Sequence, residues 1–193
     1  MLNPGTGTAP KLVLQARDGV GELALELAEK FAISSRPAER FPILPQLKAL
    51  ERDIQAAHQQ FEAAARAQQP DISPAAEWLL DNFHIVRQAF QQIRIGMPAD
   101  YYSRLPKVNL QNGLELARIY LLASTLASFY ESRLDAENIT GFIQAYQTVS
   151  PLKTGEIWAL ALMLRLGILE MLAVSLANIQ HARPNSTYPL PVF

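Results

Sequence analysis

From Leu47 onward the apolar positions of this chain recur at intervals of three and four. Leu47, Leu50, Ile54, Ala57, Phe61 and Ala64 form one row, and Leu79, Phe83, Val86, Phe90 and Ile93 form the next. A turn of about 3.6 residues brings each row onto one face, so both segments are expected to be amphipathic helices. The polar stretch "QQPDIS" separates them. Ser73 ends it as an N-cap, and Pro74 takes the first helical position, where a missing N–H is not needed. Two helices joined by so short a polar connection should form an antiparallel hairpin.

The same spacing recurs elsewhere. Val20, Leu23, Leu27 and Phe31 predict an earlier helix, followed by the proline-rich linker "SSRPAERFPILP". "KLVLQ" has the composition of a short strand but no visible partner. After "GMPADYYSRLPKVNLQ", Asn112 with Glu115 three residues later reads as a variant capping box. It predicts a helix to about Tyr130 that carries Leu114, Tyr120, Leu121, Leu122, Leu126 and Phe129. Asp135 caps a further helix with Ile139, Phe142, Tyr146 and Val149 on its stripe, and Ser150-Pro151 stops it. The last helix, Thr154 to His181, is apolar nearly all round and is therefore expected to be central, the most buried of the set. No strand pair and no repeat are visible. The reading is an all-α bundle of about five or six helices over 46–182. A partly ordered segment, 1–45, precedes it, and a proline-rich tail, 183–193, follows.

Composition supports a single folded domain: 193 residues, 49% hydrophobic and 18% charged. A net charge of −1 gives no basic face for nucleic acid, and the absence of cysteine excludes disulfides and thiolate metal sites. The N-terminus lacks the pattern of a secretory signal. "IWALALMLRLGILEMLAVSLA", Ile157 to Ala177, is long enough to cross a bilayer, yet it holds Arg165 and Glu170. Each would cost roughly 2.5–3.5 kcal/mol at the bilayer centre. The preferred reading is a buried helix of a bundle, with a membrane-associated helix as the alternative.

Candidate chemistry is sparse. Glu77, Asp81, His84, Gln88 and Gln91 share one helical stripe, set about 200° from the apolar row that starts at Leu79. That places them on a solvated or partner-facing surface. Asp81 and His84 are three apart, as in di-iron bundles, but Gln55 and Asn178 stand three before His58 and His181, so no second motif exists and no metal is expected. "GVGELA" matches a dinucleotide loop through Gly19, Gly21 and Ala24, with Glu39 downstream, but no strand–helix–strand unit surrounds it, so no nucleotide or other cofactor is expected. Arg165 falls on the row Trp158, Leu162, Arg165, Leu169, Leu172, Leu176. It must snorkel to water, pair with an acid such as Glu77 or Asp81, or hold an anionic ligand. Tyr101 and Tyr102, on a proline-bounded segment, either cover a core edge or stack on a sugar. None of these residues is assigned a catalytic role.

Three blocks, "SPAAEWLLDNFHIV", "MPADYYSRLPKV" and "SRLDAENITGFIQAYQTVSPLKTGEIWALALMLRLGILE", together resemble the N-terminal region of cyclic β-1,2-glucan synthases. The resemblance runs from about Leu47 to Leu172. It implies kinship with very large inner-membrane proteins whose synthesis, cyclisation and length-control activities lie in later modules. On that resemblance, this chain is expected to be a non-catalytic helical module truncated before those modules. Its expected place is the cytoplasm or the cytoplasmic face of the inner membrane. The expected partner is the remainder of such a synthase or another helical protein, with peripheral membrane contact as a further option. The alternative is a free-standing helical interaction or membrane-surface-binding protein.

Overall fold

A computed structural model describes residues 19–31, 33–34, 39–40, 43–67, 73–110, 114–130 and 134–181. The helices are α1 (Val20–Lys30), α2 (Ile43–Arg66), α3 (Pro74–Gly96), α4 (Ala99–Arg104), α5 (Arg118–Tyr130), α6 (Ala136–Gln147) and α7 (Thr154–His181). The strands are β1 (Glu39–Arg40), β2 (Lys107–Asn109) and β3 (Leu114–Ala117). The architecture is the expected all-α bundle. "KLVLQ", the Asn112 cap and the tail from 183 lie outside the described residues.

Two sequence signals act as expected. The Ser73 hydroxyl accepts from the Ala76 N–H at 3.3 Å, with Pro74 opening α3. The Asp135 carboxylate accepts from the Asn138 N–H at 2.8 Å at the start of α6. Each supplies an acceptor for a backbone donor that the first turn leaves unpaired. α2 and α3 run antiparallel. His58 stacks on Phe83 with centroids 3.9 Å apart, and Arg94 bonds Glu51 at 2.6 Å, so the late part of one helix meets the early part of the other.

α7 packs against α2, α3 and α5 and is the hub of the bundle. Its contact with α5 is close because Gly167 has no side chain. A Cβ there would stand 3.2 Å from the Ala127 Cβ and 3.3 Å from the Ser124 Cα. α1 packs on α6, and Leu23, Ala24, Leu27 and Phe31 join the same apolar core as Phe61, Phe90, Phe142 and Met163. The N-terminal helix is therefore part of the bundle's packing.

Two expectations need correction. The helix foreseen from Asn112 begins only at Arg118, because Leu114–Ala117 is strand β3. It pairs antiparallel with β2 (Val108 opposite Leu116) and parallel with β1 (Glu39 opposite Leu114), giving a three-stranded order β1-β3-β2. Nor is α7 the most buried helix. Ile119, Tyr120, Leu122, Ala123, Leu126 and Ala127 make α5 the enclosed one, whereas Trp158 on α7 is 76% exposed. An all-round apolar pattern requires cover on every side, and the described residues cover only part of the α7 surface.

Candidate functional site

The row Glu77, Asp81 and His84 lies along the outer face of α3, and all three side chains are exposed. No group of three or more His, Cys, Asp or Glu able to hold a metal ion occurs among the described residues. Tyr101 and Tyr102 face the bundle. The Tyr101 hydroxyl donates to the Gly155 carbonyl at 2.6 Å, tying α4 to the start of α7. The Tyr102 hydroxyl is buried and accepts from the Ala117 N–H at 3.4 Å. Burial pushes its pKa up to about 12, so it stays neutral. Both hydroxyls are thus engaged within the bundle.

Arg165 folds back along its own helix and donates from Nη1 to the Ala161 carbonyl at 2.9 Å. The ion pairs among the described residues do not include it, so the bond weighed for Glu77 or Asp81 is not made. The guanidinium reaches the surface in the middle of an uncovered strip. Along that strip lie Trp158, Ala161, Arg165, Ile168 and the half-buried Leu172, at alternating intervals of three and four. Ile157 stands beside it. The end of α3 lies along the same side: Gly96 approaches the Leu162 side chain so closely that a Cβ there would come within 2.6 Å, and neighbouring Ile95 is 71% exposed. Most of the strip is apolar surface open to water.

Two polar centres inside the bundle were missed from sequence. The first is Arg118, fully buried at the start of α5. Its Nε and Nη2 bond the two Glu156 carboxylate oxygens at 2.8 and 2.5 Å, Nη1 bonds the Ser150 hydroxyl at 2.7 Å, and Nη2 reaches the Pro151 carbonyl at 3.0 Å. Glu156 in turn accepts from the Lys153 N–H at 2.9 Å and sits in the first turn of α7, where the helix dipole favours a carboxylate. Burial works against the guanidinium charge, but the forked Glu156 contact outweighs it and holds the Arg118 pKa above its ordinary value. The arrangement clamps α5 to the loop between α6 and α7.

The second centre joins α2, α5 and α7. Glu170 accepts from the Tyr120 hydroxyl at 2.6 Å and from Gln46 Nε2 at 3.1 Å. Burial pushes the Glu170 carboxyl up to about 7, partly offset by the Tyr120 hydrogen bond. Burial, with Glu170 beside it, also raises the Tyr120 pKa. A cleft of about 200 Å³ lined by Glu51, Gln55, Phe83, Arg87 and Phe90 lies between α2 and α3 and is small for an organic ligand. Both centres tie elements of the bundle together, whereas the strip on α7 leaves Ile157, Trp158 and Ile168 exposed.

No family model matches the chain. A curated protein does: a 112-residue stretch, 58% of this chain, is 36% identical to cyclic β-(1,2)-glucan synthase NdvB of Rhizobium meliloti (strain 1021). The match covers only 4% of that synthase. Part of this chain thus resembles a small segment of a cyclic β-(1,2)-glucan synthase.

Proposed function

We propose that the chain is a non-catalytic helical module of the kind found within cyclic β-1,2-glucan synthases, and that it acts by docking to the rest of a glucan-synthesising enzyme. The match to a segment that makes up 4% of the relative carries this reading. A match to so small a share does not bring the whole synthase's chemistry to this chain. The strip on α7 supports it, since an apolar face left open on a folded module is a surface made to be covered. The setting this implies is the cytoplasmic face of the inner membrane.

The test is co-expression of the tagged chain with NdvB from which the matching segment has been removed. The chain should co-purify with the shortened synthase, and the purified chain alone should incorporate no label from UDP-glucose into glucan. Label incorporated by the chain alone would overturn the non-catalytic reading, and failure to co-purify would overturn docking. A second reading is a free-standing binder of helices or of a membrane surface. It draws on Thr154–Ile179, which is long and apolar enough to cross a membrane by length and composition. Binding to lipid vesicles with no affinity for the shortened synthase would favour it.

A further inference from the structure

We infer that the open strip of α7 receives one helix of a partner, and that this helix carries an apolar stripe of its own with a carboxylate opposite Arg165. The inference rests on the docking reading and assigns it a surface and a chemistry. The spacing comes first. Trp158, Ala161, Arg165, Ile168 and Leu172 repeat at three, four, three and four, the period of a seam along which two helices pack. The side chains stand ready: Trp158 and Ile168 are exposed, and Trp158 at one end has the size and shape of an interface anchor.

Charge selects the occupant. Arg165 stands at the midpoint of the strip, and its one hydrogen bond in the structure is to a carbonyl of its own helix. Covering the strip takes water from the guanidinium, and a single backbone carbonyl does not replace it. A carboxylate on the covering helix does, through a bond of the kind that planar guanidinium groups form best. A second copy of this chain fits badly. Centred pairing of two α7 strips, parallel or antiparallel, brings two Arg165 side chains together, and like charges in a seam repel. A bilayer also fits badly. The strip would lie in lipid with a cation at its centre, and a chain of net charge −1 gains no general attraction to anionic headgroups.

The probe is a synthetic four-heptad helix with Leu and Ile along its seam, made in three forms with Glu, Gln or Lys at the central seam position. It is used below the concentration at which it self-associates. Fluorescence anisotropy should give a Kd for the Glu form at least tenfold below that of the Lys form, with Gln between. Arg165→Glu should reverse the order. Ile168→Asp or Trp158→Ser should abolish binding of all three forms while the circular dichroism spectrum is unchanged. Both residues are already solvent-exposed, so either variant reports on the surface without unfolding the chain. Equal affinity for the Glu and Lys forms overturns the inference. So does a dimer in analytical ultracentrifugation that Ile168→Asp dissociates, or co-sedimentation with phosphatidylcholine–phosphatidylglycerol vesicles that the same change abolishes. The two readings fail separately. Glu-form preference without binding to the shortened synthase removes docking and leaves the surface. Synthase binding untouched by Arg165→Glu removes the surface and leaves docking.

Discussion

At the scale of single residues, charge burial decides most of what is distinctive in this molecule. Arg118 and Glu156 are both removed from water, and every short contact they make restores something that burial took away. Removing one partner leaves the other charged and dry, at a typical cost of roughly 3–5 kcal/mol. Arg118→Met and Glu156→Gln should each lower the free energy of unfolding in urea by an amount of that order, and the double mutant should lose less than the sum. Additive losses would mean that the two side chains do not act as one unit. Glu170 gives a second expectation, with a sign fixed by its shift. Its folded-state pKa is pushed up to about 7 against an ordinary 4.5. Between those values the folded state holds the proton and the unfolded state does not. The group's contribution is therefore fully present below about pH 4.5 and is lost as pH rises through 7, an effect of about 3 kcal/mol. Glu170→Gln keeps an acceptor for Tyr120 and Gln46, so the difference between its stability profile and that of the parent should grow across this window and level off above it. Parallel profiles would show that Glu170 titrates as if in water. Neither centre was legible in the sequence. Arg118 and Glu156 are separated by 38 positions, and Tyr120 and Glu170 by 50, and nothing in a helical period says which distant charge a side chain will meet.

At the scale of elements, periodicity served well where a face is buried on one side only and failed where that condition lapsed. α2 and α3 match their apolar rows, and Leu47, Ile54, Phe61, Leu79, Val86, Phe90 and Ile93 are all buried. Leu114 to Ala117 is different. Leu114 and Ala117 stand three apart and continue smoothly into the row of α5, so a helix reads straight through them. The sequence also holds the opposing signal: Asn112-Gly113 stands between "KVNL" and "LELA", and such a pair is a strong short-range sign of a hairpin. β-Pairing with Lys107–Asn109 prevailed over local helical spacing. Between α5 and α7 the important residue is one with no side chain. Gly167 lets the two backbones approach, and the nearest atoms include the Ser124 Cα, which cannot swing aside. Gly167→Val should cost roughly 1–3 kcal/mol through overpacking, even though valine is no better solvated there than glycine. A neutral result in thermal melts would mean that the helices separate easily.

At the scale of the whole molecule, the question is whether the chain folds as one unit or as a bundle with an appendage. The proline-rich stretch before Leu47 reads as a linker, and a linker suggests independence. Packing argues the other way. α1 lies against α6, far along the chain, and its Leu23, Ala24 and Leu27 are as well buried as the centre of α2. A helix of 11 residues is too short to be stable by itself in water, so its order comes from the surface that it covers. That surface on α6 is in turn part of the core that encloses α5. Loss of α1 contacts should then be felt everywhere. Leu27→Ala removes a fully buried side chain, and such changes cost roughly 2–5 kcal/mol. The loss should appear as a lower midpoint of a single urea transition with unchanged slope, reported alike by tryptophan fluorescence from Trp78 and Trp158 and by helical circular dichroism. Trp78 and Trp158 lie on α3 and α7, whereas α1 packs chiefly on α6, so a shift in their signal reports on the shared core. If α1 were an appendage, circular dichroism would lose a small early phase while the tryptophan transition stayed in place. The docking surface on α7 would then be independent of the N-terminal helix, whereas a single transition makes every contact of α1 a condition for presenting that surface.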